Sequence, residues 1–257
     1  MNVFVIMKRT FDTEEKIVIK NGMIDDDGVE FIINPYDEYA IEEAIQLRDK
    51  HGGEVTVITA GDEDAEKELR TALAMGADKA VLLDTEDVDE EIDHFTISEI
   101  LTAYLKDKDA DIILSGNVAV DDGAGQVGPR IAERLGINQL TTITKLDVEG
   151  QAVTAERDVE GDIEIVETSL PLLVTCQQGL NEPRYPSLPG IMKAKKKPLE
   201  TLDLDDLDLE EEDVEAKTST TGRFLPPEKG EGKILEGEIE NQVQELVKHL
   251  REEAKVI

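Results

Sequence analysis

Tryptophan is missing from the chain, and the aromatic residues together make up only 4% of it. Cysteine occurs once, at Cys176. A lone cysteine excludes an internal disulfide and any cysteine-built metal cluster within the chain. It closes an apolar run with no histidine beside it, so it reads as a small core residue rather than a nucleophile. His51, His94 and His249 stand apart without ligand-like spacing and read as surface or helix-end residues, which leaves no metal site in view. No apolar run is long enough to cross a bilayer, and Met1-Asn2-Val3-Phe4 leads straight into a strand rather than a secretory leader or an organellar presequence. The expectation is a soluble, cytoplasmic protein.

Positive charge is the other scarcity. Lys and Arg number 27 against 60 acidic residues, a net charge of −33. Nucleic acid is excluded as a partner, because binding it relies on neutralising phosphates with Lys and Arg. Docking on anionic lipid is excluded for the same reason. The acid is concentrated in Asp84–Asp93 and Asp203–Glu215, where it solvates the surface. Enzyme signatures are also lacking. The chain has no G-x-x-x-x-G-K-[ST] and no G-x-S-x-G. Ser115-Gly116-Asn117 lacks the glycine pair and Asp-Ser of an ATP-pyrophosphatase loop, and no His-x-Gly-His follows. A nucleotide can bind here, but nothing cleaves it.

What is present is a regular alternation of strands and helices. Val3–Met7, Val55–Thr59 and Ala80–Leu83 are short apolar runs that read as buried strands. Between them, Asn34 caps a helix that starts at Pro35, with Asp37 and Glu38 in its first turn. Helical spacing recurs at Leu69, Ala72 and Leu73, and again at Ile97, Ile100, Leu101 and Tyr104 in a helix over 95–108. Lys16–Phe31, with Asn21-Gly22 inside it, reads as an inserted hairpin. Repeated strand–helix–strand units predict a parallel sheet with helices on both faces.

The chain is organised around Ala110–Gly136. A strand, Ile112-Ile113-Leu114, runs into a glycine-rich connection and then a helix marked by Ile131, Ala132 and Leu135. Unpaired N–H groups at a helix start favour an anion. Gly123–Gly128 matches G-x-G-x-x-G, but a dinucleotide fingerprint follows its first strand almost directly. Here Gly116–Asp122 intervene. Two readings fit these residues: a loop shaped for a nucleotide, and a turn that only connects. After Gln139–Leu146, the runs Ala152–Val159 and Ile163–Thr168 alternate like an antiparallel pair, and Pro171–Thr175 reads as another buried strand. Leu180–Lys197 predicts an ordered, non-repetitive excursion ending in the basic patch Lys193, Lys195, Lys196 and Lys197. Residues 198–233 predict little structure, and Ile239, Val243, Leu246, Val247 and Leu250 form one helical face that must pack on the domain or on another chain.

Three blocks carry a resemblance to a known family. They are Asn34-Pro35 with Arg70–Asp78, then Ala155–Glu164 running to Pro171–Thr175, and above all LNEPRYPSLPGIMKAKKK from Leu180 to Lys197. The chain resembles the beta subunit of electron transfer flavoprotein from end to end. The resemblance implies a doubly wound, mostly parallel sheet of adenine-nucleotide-binding type over 1–197, with 198–257 an extension wrapping a partner subunit. It implies a heterodimer whose alpha subunit holds most of a redox-active FAD, while this subunit binds a structural AMP. Carried over by position, the AMP contacts are Ile6, Asn34, Pro35, Tyr36, Asp37, Ala60, Asp121, Asp122, Gly123, Ala124, Gly125, Gln126, Val127, Gly128, Pro129, Arg130, Ile131 and Ala132. Asp121 and Asp122 are expected to face the ribose or backbone N–H groups, with a helix-capping role as the plainer reading of Asp121. Asp158, where relatives more often carry Glu, and Thr13, where some carry Tyr, would lie near the flavin.

The family's docking loop corresponds to Pro183–Lys197, comprising Pro183, Arg184, Tyr185, Leu188, Pro189, Ile191, Met192 and Lys193, with Leu188 as the plug for a partner dehydrogenase. The implied function is electron carriage from acyl-CoA and related dehydrogenases, in fatty acid oxidation, to a membrane quinone oxidoreductase and the respiratory chain. The subunit itself makes no bonds. Some relatives instead hold a second FAD and bifurcate electrons from NADH; Gln126–Pro129 resembles that branch, whereas Asp121–Gly125 departs from it. A stand-alone nucleotide-sensing module is the third reading.

Overall fold

The computed structural model describes residues 1–88 and 91–257; Asp89 and Glu90, in the acidic run before the third long helix, lie outside the described residues. The chain forms two compact units, one of residues 1–18 and 24–221, the other of residues 19–23 and 222–257. Chain order begins with Asn2–Ile6 (β1), Arg9–Phe11 (β2), Val18–Lys20 (β3), Met23–Asp25 (β4) and Phe31–Ile33 (β5). Pro35–His51 (α1), Glu54–Gly61 (β6), Glu66–Met75 (α2), Lys79–Asp84 (β7), His94–Leu105 (α3), Ile112–Gly116 (β8) and Val127–Leu135 (α4) follow. Asn138–Glu149 (β9), Ala152–Val159 (β10), Asp162–Ser169 (β11) and Leu172–Cys176 (β12) complete the long strands. Leu188–Ala194 (α5), Leu199–Leu202 (β13), Glu211–Val214 (α6) and Ile239–Lys248 (α7) end the chain.

Nine strands form one sheet in the order β11-β10-β9-β12-β8-β1-β6-β7-β13. From β9 to β13 every neighbouring pair is parallel; β10 and β11 add antiparallel strands at one edge. Helices cover both faces, as alternation along each strand requires. Val3 and Val5 enter one core with Ile41, Ile45, Leu69 and Leu73 of α1 and α2. Phe4 and Ile6 enter the other with Ile100, Leu101 and Ile131 of α3 and α4. Ile113 and Leu173 face the α3–α4 side, while Ile112, Leu114, Leu172 and Val174 face α1 and α2. The molecule is an α/β protein with a mostly parallel sheet, doubly covered. Among the described residues no helix is long and apolar enough to cross a membrane.

Two expectations need correction. Residues 198–221 belong to the α/β body rather than to an unstructured extension. β13 extends the sheet beyond β7, and Leu204, Leu207 and Val214 are buried against α3's side of it. An acidic composition conceals these three apolar anchors, which borrow a core they cannot build. Leu180–Lys197 is not wholly non-repetitive either, since α5 lies within it. Within the smaller unit, Asn21 and Gly22 take positive φ between β3 and β4, as a tight hairpin turn demands. In α7, Ile239, Val243 and Leu246 are exposed.

Asp93 fastens the end of the body. Its Oδ1 accepts the Thr96 N–H at 2.9 Å, capping α3. Its Oδ2 accepts the N–H groups of Lys217 and Thr218 at 2.9 Å each and the Thr218 hydroxyl at 2.8 Å. Although partial burial pushes the carboxyl up, these donors hold it well below the ordinary range. Asp93→Ala is expected to lower the unfolding free energy by about 1–2 kcal/mol in urea titrations and to speed proteolysis near Lys217. Because the folded pKa is depressed, the contribution is present above the ordinary 3.8 and fades as pH falls below it.

Candidate functional site

The sheet changes direction at β1: the chain proceeds outward through β6 and β7 on one side, then returns to β8 on the other. In such sheets the crevice beyond the carboxyl ends of the two strands is where ligands bind. Asp37, in the first turn of α1, bridges that crevice. Its Oδ2 accepts the Lys8 N–H at 2.7 Å and its Oδ1 accepts the Gly116 N–H at 2.8 Å. The side chain is only 4% exposed, and burial pushes its pKa up to about 7 against the pull of those two donors. Asn34 occupies the cap position of α1 but does not use its side chain as a cap. Instead its Nδ2 donates to the Val118 carbonyl at 2.9 Å and its Oδ1 accepts the Val120 N–H at 3.1 Å. The residue that looks like a helix cap in sequence therefore ties down the loop after β8.

That loop carries the glycines. Gly123 and Gly125 adopt positive φ of 64° and 59°. Gly128 lets the first turn of α4 sit directly on the sheet: a Cβ there would lie 3.1 Å from both Ser115 Oγ and Thr175 Cγ2. No side chain caps α4, so its first N–H groups remain open to an anion. Beside it, the buried Ser115 Oγ has no hydrogen-bond partner. An orphan hydroxyl next to a helix start fits a phosphate or similar group.

The two acids beside the glycines are engaged within the chain. Asp121 is not a helix cap. Its carboxylate and that of Asp122 both hold the Lys8 ammonium, at 2.8 and 2.7 Å. Asp122 does meet a backbone N–H, that of Ala124 at 2.8 Å, and lies 3.2 Å from His94 Nε2. Burial pushes the Asp122 carboxyl up, yet Ala124 and Lys8 bring it below its ordinary value. Lys8 joins the site through the fold rather than through any motif. Its only signal in sequence is a cation directly after the first strand.

Other expected contacts spread wider. Ile6 and Ala60 end β1 and precede the last residue of β6, and Pro35 and Tyr36 open α1, so these cluster at the crevice. Arg130 is turned onto Gln126 Oε1 at 3.0 Å. Ile131 and Ala132 are fully buried in the core under α4. Asp158 and Thr13 are both exposed and take no part in the network at the strand ends. Its carbonyl accepts the Thr142 hydroxyl in the case of Asp158. Cys176 is buried and its thiol is pushed up by burial, consistent with a core role. Among the described residues no cluster of His, Cys, Asp or Glu could hold a metal ion.

A second feature lies on the α1–α2 side of the sheet. Ser187 caps α5 by accepting the Gly190 N–H at 3.1 Å, and Pro189 stands in the first turn. Tyr185, Leu188 and Met192 are 94%, 80% and 73% exposed. Arg184 is spent below them on the buried Glu42, with bonds of 2.7 and 2.9 Å. Pro183 is half-buried and Lys193 exposed, and Ile191 helps to line a groove of about 410 Å³ with Arg70, Thr71, Ala74, Pro186, Ala194 and Lys195. The basic patch divides: Lys193, Lys195 and Lys196 are exposed, whereas Lys197 donates into carbonyls of Leu73 and Ala77.

Residues 21–207 match the family described as Electron transfer flavoprotein domain. Over 257 residues, all of both chains, the sequence is 67% identical to Electron transfer flavoprotein subunit beta of Bacillus subtilis (strain 168). It is 41% identical over 257 residues to the protein of that name from Syntrophomonas wolfei, covering 100% of this chain and 98% of the relative. It is also 37% identical over 259 residues to the Caffeyl-CoA reductase-Etf complex subunit CarD of Acetobacterium woodii, covering 98% of each.

Proposed function

The chain belongs to the electron transfer flavoprotein family, and from that premise we propose that it is the beta subunit of an electron-carrying heterodimer. Its alpha-subunit partner holds most of the FAD, and the exposed apolar face of α7 and the segment after Thr221 pack on that partner. FAD supplies the redox chemistry when bound. The residues of this chain hold an AMP at the crevice beyond β1 and β8. The backbone of Gly123–Gly128, the start of α4 and the Ser115 hydroxyl take the phosphate. Asn34 and Asp37 fix the loop that carries them. Leu188 on α5 docks donor dehydrogenases, such as those acting on acyl-CoA, and electrons pass on to a membrane quinone oxidoreductase.

One observation carries the choice of a structural nucleotide. The charged groups at the crevice are engaged with backbone or with one another: Asp37 on two N–H groups, Lys8 on Asp121 and Asp122. Such a site holds a ligand rather than turning it over. Nucleotide extracted from the purified heterodimer should contain one AMP and one FAD per dimer. Two FAD and no AMP would overturn this.

A second reading is supported by the relative named for a reductase–Etf complex, together with Gln126–Pro129. In it, a second FAD replaces AMP and NADH is the reductant. NADH added to the heterodimer would then bleach the flavin rapidly.

A further inference from the structure

α5 has seven residues, too few to stand alone in water, and it carries a proline and a glycine. Its order comes from α2. At Gly190 a Cβ would run into the Ala74 carbonyl, so the backbones of the two helices touch there. At the far end the helices exchange cations. Arg70, from α2, donates Nη1 to the carbonyls of Ala194 at 3.1 Å and Lys197 at 3.0 Å, satisfying the end of α5. Lys197, just after α5, donates Nζ to the carbonyls of Leu73 at 2.9 Å and Ala77 at 2.5 Å, satisfying the end of α2. Carbonyls at a helix end have no partner within the helix and attract positive charge. Glu66 Oε1 orients the Arg70 guanidinium through Nε and Nη2, both at 3.2 Å.

We infer that Arg70 is the positioning residue for docking: its reciprocal cap with Lys197 holds α5, and with it Leu188, in the conformation a donor dehydrogenase receives. The inference rests on the docking reading given above. An apolar anchor is effective only if little ordering remains to be done on contact. The hydrogen bonds of Arg70 run to Ala194, Lys197 and Glu66, not to Tyr185, Leu188 or Met192. A lysine is a poor replacement, because Arg70 serves the two carbonyls from Nη1 and the carboxylate from Nε and Nη2, edges of a rigid planar fork that the single nitrogen of an ammonium cannot span.

The test uses the complete heterodimer reduced by its donor dehydrogenase. Arg70→Gln and Arg70→Lys should both raise the KM for the flavoprotein by about tenfold, more than they change kcat, with FAD content unaltered. Amide hydrogen exchange over 188–197 should accelerate in both. An unchanged KM in both, beside a raised KM in Leu188→Ala, overturns the inference and spares the docking reading. An unchanged KM in Leu188→Ala overturns the docking reading, whatever exchange shows. Full rescue by Arg70→Lys also counts against the inference, since a bare charge would then suffice.

Discussion

Leu188→Ala should lower kcat/KM for reduction of the heterodimer by its donor dehydrogenase about thirtyfold, equivalent to about 2 kcal/mol of docking energy. The side chain is 80% exposed, so its loss removes nothing from the core. The effect falls on encounter rather than on folding. The surroundings concentrate it in one residue. Ser187 caps the helix beneath the leucine, and Glu42, Arg70 and Lys197 fix the backbone on both sides. A rigid, desolvating anchor flanked by polar neighbours is the usual form of an interface hot spot. Steady-state rates against flavoprotein concentration would measure it, with thermal unfolding as a control that should not move.

Asp37→Ala should destabilise the subunit by about 2–5 kcal/mol, because it leaves the N–H groups of Lys8 and Gly116 without their acceptor. Gly116 ends β8 and Lys8 follows β1 by two residues, so the loop carrying Gly123–Gly128 should loosen and the nucleotide should be lost. Asp37→Asn separates charge from shape. It keeps one acceptor oxygen and directs an NH2 at the other donor, so its cost should be smaller.

The same residue sets a pH dependence. Its folded pKa of about 7 lies above the ordinary 3.8, so the folded state binds the proton more tightly. Stability from this group is therefore full below about 4 and declines as pH rises towards 7. Urea titrations across that window should show the decline in the natural protein and a flatter profile in Asp37→Asn. A steeper profile in the variant would contradict the assignment.

Much of this architecture is legible in the residues themselves. Val3-Phe4-Val5-Ile6 and Ile112-Ile113-Leu114 are apolar at every position because each strand is covered on both faces. The glycines of 123–128 mark the loop by their positive φ and close approach, independent of any partner. Other features depend on contacts far along the chain and leave no local trace. Asn34 looks like a helix cap whichever group its side chain meets, and its true partners are more than eighty residues away, at Val118 and Val120. α5 is invisible to periodicity because α2 stabilises it from outside. Leu204, Leu207 and Val214 are isolated apolar residues in an acidic run, and only the neighbouring helices make them core. Lys8, too, becomes a site residue only when Asp121 and Asp122 fold back to it.

As half of a carrier, this chain should receive electrons through a docked flavoprotein. The most direct measurement mixes the oxidised heterodimer anaerobically with substrate-reduced acyl-CoA dehydrogenase in one syringe arm and with NADH alone in another, following flavin absorbance. Bleaching by the dehydrogenase and none by NADH is the predicted result. Bleaching by NADH alone, with the dehydrogenase inert, would contradict it.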